Sequence, residues 1–334
     1  MTNNGQFDLS NLKNWLDDAC SRGAVAVITG MNGDMDTVGS AISLASSHSN
    51  MMACGVHLGR VSRKVCEKLS APFRKINSAN DLPNQLAGVV LVDAASPSQI
   101  GFDLPANIAK CVIDHHATNE WDIQQDDILI QQSVSATTEI IANYLESYFP
   151  QSLTSPVRKL LLAGLITDSG RFKHAKNSTF GVASKLLIDS DINYQKYVEW
   201  LENNPTNSSE KGTLLRGLQK SQSIDSGEWS IIYTNCGTLE GRMAGLLLGI
   251  GHDVSLVSRS RDGTTRLTAR ATKKSTDEGI KLGLIMQKIS QKLGGDGGGH
   301  DGAAGWSGNA DRIAAESAFI SEVATQKREV KNND

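Results

Sequence analysis

Three short apolar runs in the first third of the chain, Ala24–Ile28, Gly88–Val92 and Cys111–Ile113, each stop at a polar loop. Runs this short, rich in β-branched residues and cut off near Gly30, Asp93 and Asp114, have the pattern of strands buried on both faces of a parallel sheet. Between them the spacing predicts helices at about Thr37–Ser46 and Val61–Leu69, with a further strand at Ala53–His57. A helix over residues 11–21 precedes the first run, with Leu12, Trp15, Leu16 and Ala19 on one face and Ser10 as its N-cap. The alternation is that of an α/β fold: a mainly parallel sheet flanked by helices.

Helical spacing continues through Ala136–Tyr148, Ser155–Ile166 and Phe180–Leu187, and then the texture changes. Asn203-Asn204-Pro205-Thr206-Asn207-Ser208-Ser209 is a run of turn formers, and a chain of 334 residues exceeds what one core organises. A first domain over 1–190, a linker at 191–214, a smaller α/β domain over 215–320 and a tail at 321–334 are therefore expected. The second domain reads as strands at Trp229–Tyr233, Val254–Ser258 and Thr265–Ala269, a helix at Asp277–Ile289 and a glycine-rich loop at Gly294–Gly305. The end, from Lys327 onward, reads as frayed.

Composition narrows the function classes. No apolar run approaches the roughly 18 residues of a membrane span, and the start carries no secretory pattern, so a soluble, cytoplasmic protein without membrane partners is expected. The five cysteines are scattered and form no CxxC pair, which argues for buried thiols over disulfides or a zinc–thiolate site. A net charge of −3 supplies no global attraction for nucleic acid, and 5% aromatics are too few for a long base-stacking track. An anionic substrate would have to be short and held locally. The oligomeric state is left open, a homodimer included.

The chemistry sits at the ends of the strands. Asn32-Gly33-Asp34-Met35-Asp36 follows the first, Asp93 the second and Asp114-His115-His116 the third, while Asp168 marks the break of an apolar helix. Ligands of open α/β sheets bind beyond the carboxyl ends of the strands, so these residues should converge although far apart in sequence. Asp34 and Asp36 taken alone would serve as turn and N-cap residues. Gathered carboxylates repel one another unless cations neutralise them, and oxygen ligands with imidazole suit Mn²⁺, with Mg²⁺ as the alternative. Two such ions would activate water against a phosphate ester.

These residues, with Gly297-Gly298-Gly299-His300 continuing to Gly305, resemble the DHH phosphoesterases that carry a C-terminal DHHA1 domain. That group includes oligoribonuclease/pAp phosphatases of the NrnA type and RecJ-type exonucleases. The resemblance implies Asp34 on a first metal, Asp93 bridging, and Asp36, His115 and Asp168 on a second. It implies His116 facing the scissile phosphate and Asp114 orienting its neighbours. In the second domain it implies substrate binding by Arg270, Gly298, Gly299 and His300, across a cleft hinged near Pro205.

The chain departs from the family at Gly30, where many members carry a His, and at Asn32, where RecJ-type members place an Asp. Both changes weaken the first metal position; His57 and His174 are candidates to complete it. Short RNA or DNA, or a nucleotide, is the expected partner, and NrnA-like hydrolysis the expected activity. A RecJ-like exonuclease and a catalytically silent scaffold of replication complexes are the alternatives.

Overall fold

The apolar runs become the middle of a parallel sheet. The computed structural model describes residues 3–203 and 206–329, with residues 3–8 by their backbone alone. It divides into two units, Met1–Asn204 and Pro205–Asp334.

The first unit runs α1 (Asn3–Arg22), β1 (Ala24–Thr29), α2 (Met35–Ala45), β2 (Met51–Gly55), α3 (Arg60–Leu69), β3 (Arg74–Lys75), β4 (Leu86–Val92), β5 (Lys110–Asp114) and β6 (Ile128–Gln131). Helices α4 (Thr137–Tyr148), α5 (Ser155–Asp168), α6 (Asn177–Leu187) and α7 (Tyr194–Glu202) follow. The six strands lie in the order β3-β2-β1-β4-β5-β6, every pairing parallel. Chain direction across the sheet therefore reverses between β1 and β4, and the crevice beyond their carboxyl ends is where such sheets bind ligands.

Side chains alternate across the sheet. Val25, Val27, Val90, Val92, Cys111 and Ile113 join one core with α2, α4 and α5, while Ala26, Ile28, Val89, Leu91 and Val112 join a second core on the opposite face. Each of the valine, leucine and isoleucine side chains among them contributes on the order of 1.5–3 kcal/mol. Helices α2 and α5 approach closely because Gly39 and Gly164 leave room: a Cβ at Gly39 would stand 2.9 Å from Leu160 O, and one at Gly164 3.2 Å from Asp36 Cα.

The second unit runs α8 (Ser208–Gln219), β7 (Gln222–Ser226), β8 (Trp229–Asn235), α9 (Glu240–Leu248), β9 (Val254–Arg261), β10 (Thr264–Ala271), α10 (Lys273–Asp277), α11 (Leu282–Leu293), β11 (Asp296–His300), β12 (Ala303–Gly308) and α12 (Arg312–Ala324). Its sheet has the order β11-β12-β10-β9-β8-β7, antiparallel except for β8–β9, which the α9 crossover makes parallel. Trp229, Leu267, Trp306 and Phe319 centre the core under α11 and α12; Ile232, Met243 and Val257 form a smaller one on the other face.

Several local expectations change. Ser10 lies inside α1 and does not cap it, and β2 starts at Met51, two residues before the expected run. The segment 191–214, expected as a linker, holds most of two helices, with Tyr197 and Leu201 of α7 buried in the first core. The expected helix at Asp277–Ile289 is broken at Gly279, whose φ of +121° ends α10 before α11 begins. The glycine-rich loop is a hairpin, β11 against β12.

At the C-terminal end, α12 extends to Ala324 and residues 327–329 are docked, not frayed. Arg328 stacks 4.4 Å from the Trp229 ring centroid and pairs with Asp253 at 3.0 Å. The hinge expected at Pro205 and the tail from Val330 lie outside the described residues. All five cysteines are free thiols, four buried and Cys236 half-buried. Burial pushes Cys20 and Cys66 up to about 11 and Cys54 to about 12. Among the described residues no helix is long and apolar enough to cross a membrane.

Candidate metal centre

Asp34 sits between β1 and α2 as the N-cap of α2, its Oδ1 accepting from the N–H groups of Asp36 and Thr37 at 3.1 Å each. Its Oδ2 accepts from Asn32 Nδ2 at 2.7 Å. Thr37 fastens this loop to the next strand, accepting from Gly30 N and donating to Val92 O, both at 2.9 Å.

Asp36, only 1% exposed, serves another helix. Its Oδ2 accepts from Thr137 N at 2.7 Å, and its Oδ1 from Thr138 N at 2.9 Å and Thr138 Oγ1 at 2.7 Å. The first N–H groups of a helix lack partners within it, and Ala136, the N-cap of α4, has no side chain to supply one. Asp36 fills that role from across the fold, which fixes α4 and holds the carboxylate in one orientation.

Asp93 follows β4 directly with a φ of +56°, a left-handed backbone that is uncommon outside glycine and that turns its side chain into the crevice. His115 gathers the acids: its Nε2 lies 3.4 Å from Asp93 Oδ1, 3.5 Å from Asp168 Oδ2 and 4.0 Å from Asp36 Oδ2. Asp168 reaches this point as the last residue of α5. Asp114, fully buried, accepts on Oδ1 from His115 N at 2.9 Å and contacts His116 Nδ1 at 2.6 Å.

The charges are unbalanced without a cation. Burial, and then the charge of Asp36, lift Asp93 well above the usual carboxylate range and Asp168 up to about 7. Burial alone would lower His115, but its hydrogen bond with Asp93 and the charges of Asp36, Asp93 and Asp168 hold it up at about 9. Strong mutual repulsion of buried carboxylates beside imidazole is what a divalent cation relieves, and oxygen plus nitrogen donors without thiolate fit a hard or borderline ion.

Among the described residues two groups have ligand atoms mutually within 4.8 Å: Asp36, His115 and Asp168, and Asp93, His115 and His116. Asp34 belongs to neither, its oxygens being engaged by α2 and Asn32. Gly30 offers no ligand, and a Cβ there would already stand 3.2 Å from Asn32 Oδ1. His57 and His174 are exposed and join neither group.

An open pocket of about 360 Å³ adjoins the cluster, lined by Asn32, Asp34, Asp36 and Asp168 and by Arg60 and Ser62 of α3. A larger groove, about 1230 Å³, lies at the opposite, amino-terminal edge of the sheet beside Trp15, Ala87 and Lys110, away from these residues. The motif-based reading missed Asn32's bond to Asp34, Arg60, Thr137 and Thr138. The pair of threonines opening an apolar helix after the unsuited cap Ala136 was the available signal for a distant acceptor.

In the second unit, Arg270 pairs in register with Ala303, which pairs with His300. The two exposed side chains thus share one rung and one face of the sheet, with a small alanine between them. The neighbouring glycines differ in cause. A Cβ on Gly297 would meet Met286 O at 2.6 Å and one on Gly299 would meet Ala303 O at 2.6 Å, whereas Gly298 faces open space on the edge strand. Packing accounts for the first two and not for Gly298.

Residues 24–165 match the family model of the DHH family N-terminal domain, and residues 239–326 match that of the DHHA1 domain; together they span more than half of the chain. The chain belongs to the DHH family. This DHH protein is 28% identical over 249 residues to an uncharacterized protein of Methanocaldococcus jannaschii, across 72% of this chain and 73% of the relative. Its fold is similar to that of an exopolyphosphatase-related protein from Bacteroides fragilis, with a TM-score of 0.72 at 14% identity over 95% of this chain and 96% of the other. It is also similar to the DHH domain of a protein described as a member of a family of ribosomal proteins, with a TM-score of 0.53 at 16% identity over 96% and 92% of the two chains. The DHH family membership and the carboxylate–imidazole cluster make this chain a phosphoesterase.

Proposed function

We propose that the protein hydrolyses phosphate esters in short oligonucleotides or nucleotides with Mn²⁺, or Mg²⁺ in its place. The observation that carries this reading is the convergence of Asp36, Asp93 and Asp168 within 4.0 Å of His115 Nε2. Asp36, His115 and Asp168 would hold the firmer ion, with Asp93 as a further ligand beside them, and Asp34 would help to hold a second, weaker ion where Gly30 supplies no ligand. Bound there, the ions supply Lewis acidity and lower the pKa of a water.

The chain's own residues do the rest. Asp114 anchors His116 through Nδ1, which leaves Nε2 to face the scissile phosphate. That same hydrogen bond raises the affinity of His116 for a proton, so the ring can pass one to a departing oxygen. In the second unit Arg270 and His300 are the candidate grips for a further phosphate, with Gly298 allowing close backbone approach.

Turnover of 3′-phosphoadenosine 5′-phosphate, a 5-mer RNA and a long single-stranded DNA, each with Mn²⁺ and with chelator, tests the reading. Metal-dependent cleavage confined to the short substrates is expected. Cleavage of the long DNA would move the assignment to a RecJ-like exonuclease, and silence on all three would favour a scaffold.

A further inference from the structure

We propose that β10 is a backbone track for single-stranded oligonucleotides: Arg270, Thr268 and Arg266 hold three successive phosphates, and Arg266 is the residue that senses substrate length. This rests on the phosphoesterase reading and deepens it, since it names the substrate class that the second unit selects.

The track follows from the register of the sheet. Leu267 and Ala269 of β10 join the core under α11 and α12, so Arg266, Thr268 and Arg270 project from the opposite face. On that face the neighbouring strand β12 sets Ser307, Gly305 and Ala303 beside them, and beyond it β11 sets Asp296, Gly298 and His300. Helix α9 covers the β9 side, where Val257 packs with Met243 and Leu247, and Ser255 Oγ donates to Ala244 O at 2.8 Å. Over β10 and β12 this leaves a strip of small side chains with an arginine at each end.

Arg266 is unfavourably placed for the fold alone. It pairs in register with Arg259 of β9, and like charges directly opposite on a sheet face repel. Glu240 neutralises Arg259 at 3.0 Å. Arg266 is exposed, and among the described residues no hydrogen bond or ion pair engages its side chain. The acid on its rung, Asp296, stands two strands away behind Ser307. Among the described residues Arg270 commits only its Nε, to Gly241 O at 3.4 Å, which leaves its terminal nitrogens for a ligand. An anion from outside the chain relieves what the fold leaves unpaired.

Spacing selects the anion. Alternate residues of an antiparallel strand lie about 6.8 Å apart, so Arg266 and Arg270 are about 13.6 Å apart with the Thr268 hydroxyl midway. An extended sugar–phosphate chain, whose repeat passes through a whole ribose, carries its phosphates at a similar interval and can lay one on each residue. Tripolyphosphate, whose phosphorus atoms share single oxygens, is too short to span the pair. At the Arg270 end His300 shares the rung through Ala303, so the doubly charged terminal phosphate belongs there and the chain runs toward Arg266.

Calorimetric titration of the full-length protein, with chelator present so that nothing is cleaved, tests the track. The ligands are a 5′-phosphorylated RNA 2-mer, the matching 5-mer and tripolyphosphate. Arg266→Ala should weaken the 5-mer by about 3- to 10-fold. It should also reduce the slope of log affinity against log salt by about 0.7, the share of one phosphate contact on a single strand. The 2-mer and tripolyphosphate should behave as with wild type, and Arg266→Lys should keep the salt slope. Lys288→Ala, which removes an exposed cation from α11 over the other face, should change nothing. A 5-mer affinity or salt slope that stays put in Arg266→Ala, or a loss shared by the 2-mer, by tripolyphosphate or by Lys288→Ala, would overturn the proposal.

Turnover separates this idea from the parent reading. Should wild type bind the 5-mer yet fail to cleave it when Mn²⁺ is supplied, the esterase reading fails and the track stands. Should it cleave short substrates while Arg266→Ala binds the 5-mer as tightly as wild type, the track fails alone. No binding of the 5-mer by wild type overturns it.

Discussion

Thr138 donates twice to Asp36: its N–H and its hydroxyl reach the same Oδ1, at 2.9 and 2.7 Å. One residue at the start of α4 thereby satisfies part of a buried charge and aims it. Thr138→Val keeps the shape and the N–H but removes the hydroxyl. A loss of about 1–3 kcal/mol in urea unfolding and a weaker Mn²⁺ isotherm are expected. A variant as stable as wild type with unchanged metal affinity would show that the hydroxyl is idle.

The glycine at the α2–α5 contact acts on that same threonine. A Cβ at Gly164 would sit 2.5 Å from Thr138 Cγ2 and 3.2 Å from Asp36 Cα, whereas one at Gly181 in α6 meets nothing within 4 Å. Gly181→Ala should therefore stabilise by about 0.5–1 kcal/mol through helix propensity alone. Gly164→Ala should destabilise by about 1–3 kcal/mol despite the same propensity gain. Thermal unfolding of the pair decides it, and equal shifts would mean the helices separate freely.

Metal and protons compete for one cluster. Asp168 is held up at about 7 and His115 at about 9, so both must lose protons to become ligands. Mn²⁺ affinity should rise with pH through about 7 and keep rising toward 9, as calorimetry at pH 6, 7.5 and 9 would read. At 100 times its dissociation constant the ion adds about 2.7 kcal/mol, which raises Tm by roughly 5–10 °C for a unit this size and is reversed by chelator. A Tm indifferent to chelation would contradict the site.

Strong acid should weaken the second unit through a different residue, Asp253. Burial pushes Asp253 up, but the N–H and hydroxyl of Ser230, the hydroxyl of Ser275 and the charge of Arg328 pull it below the usual range. A depressed carboxylate contributes stability that is full above its unfolded value of about 3.9 and is lost as pH falls through the lower folded value. Asp253→Asn should thus be less stable than wild type at pH 7, with the gap closing below about pH 4. Denaturant curves at pH 7, 4 and 3 test this, and a gap constant over that range would refute it.

Strands β1, β4 and β5 of the first sheet were legible because they are continuous apolar runs buried on both faces, as Val89–Val92 shows with every residue fully buried, whereas β3, two exposed basic residues, and the short β6 escaped the sequence reading. The strand β11 was not: glycine has no side chain to alternate, so Gly297–Gly299 read as a loop although α11 packs on its backbone. The break between α10 and α11 hid for a similar reason, since Lys273–Leu293 keeps helical spacing and Gly279 alone signals the turn. At the site, acids and histidines stand out because such residues are seldom needed at strand ends. Thr137 and Thr138 carry no such mark, because their roles depend on a partner far away in the chain.

Asp36 and its threonine donors lie 101 and 102 positions apart. Contacts this distant form late, after the loops between them have closed. A chain emerging from its N-terminus makes β1 and α2 early, yet the ion cluster waits for α4 to dock and for Asp168, the last of its acids, to be added. Metal capture is then a report that the first unit is finished, and truncations ending before Asp168 should retain strands while taking up no ion.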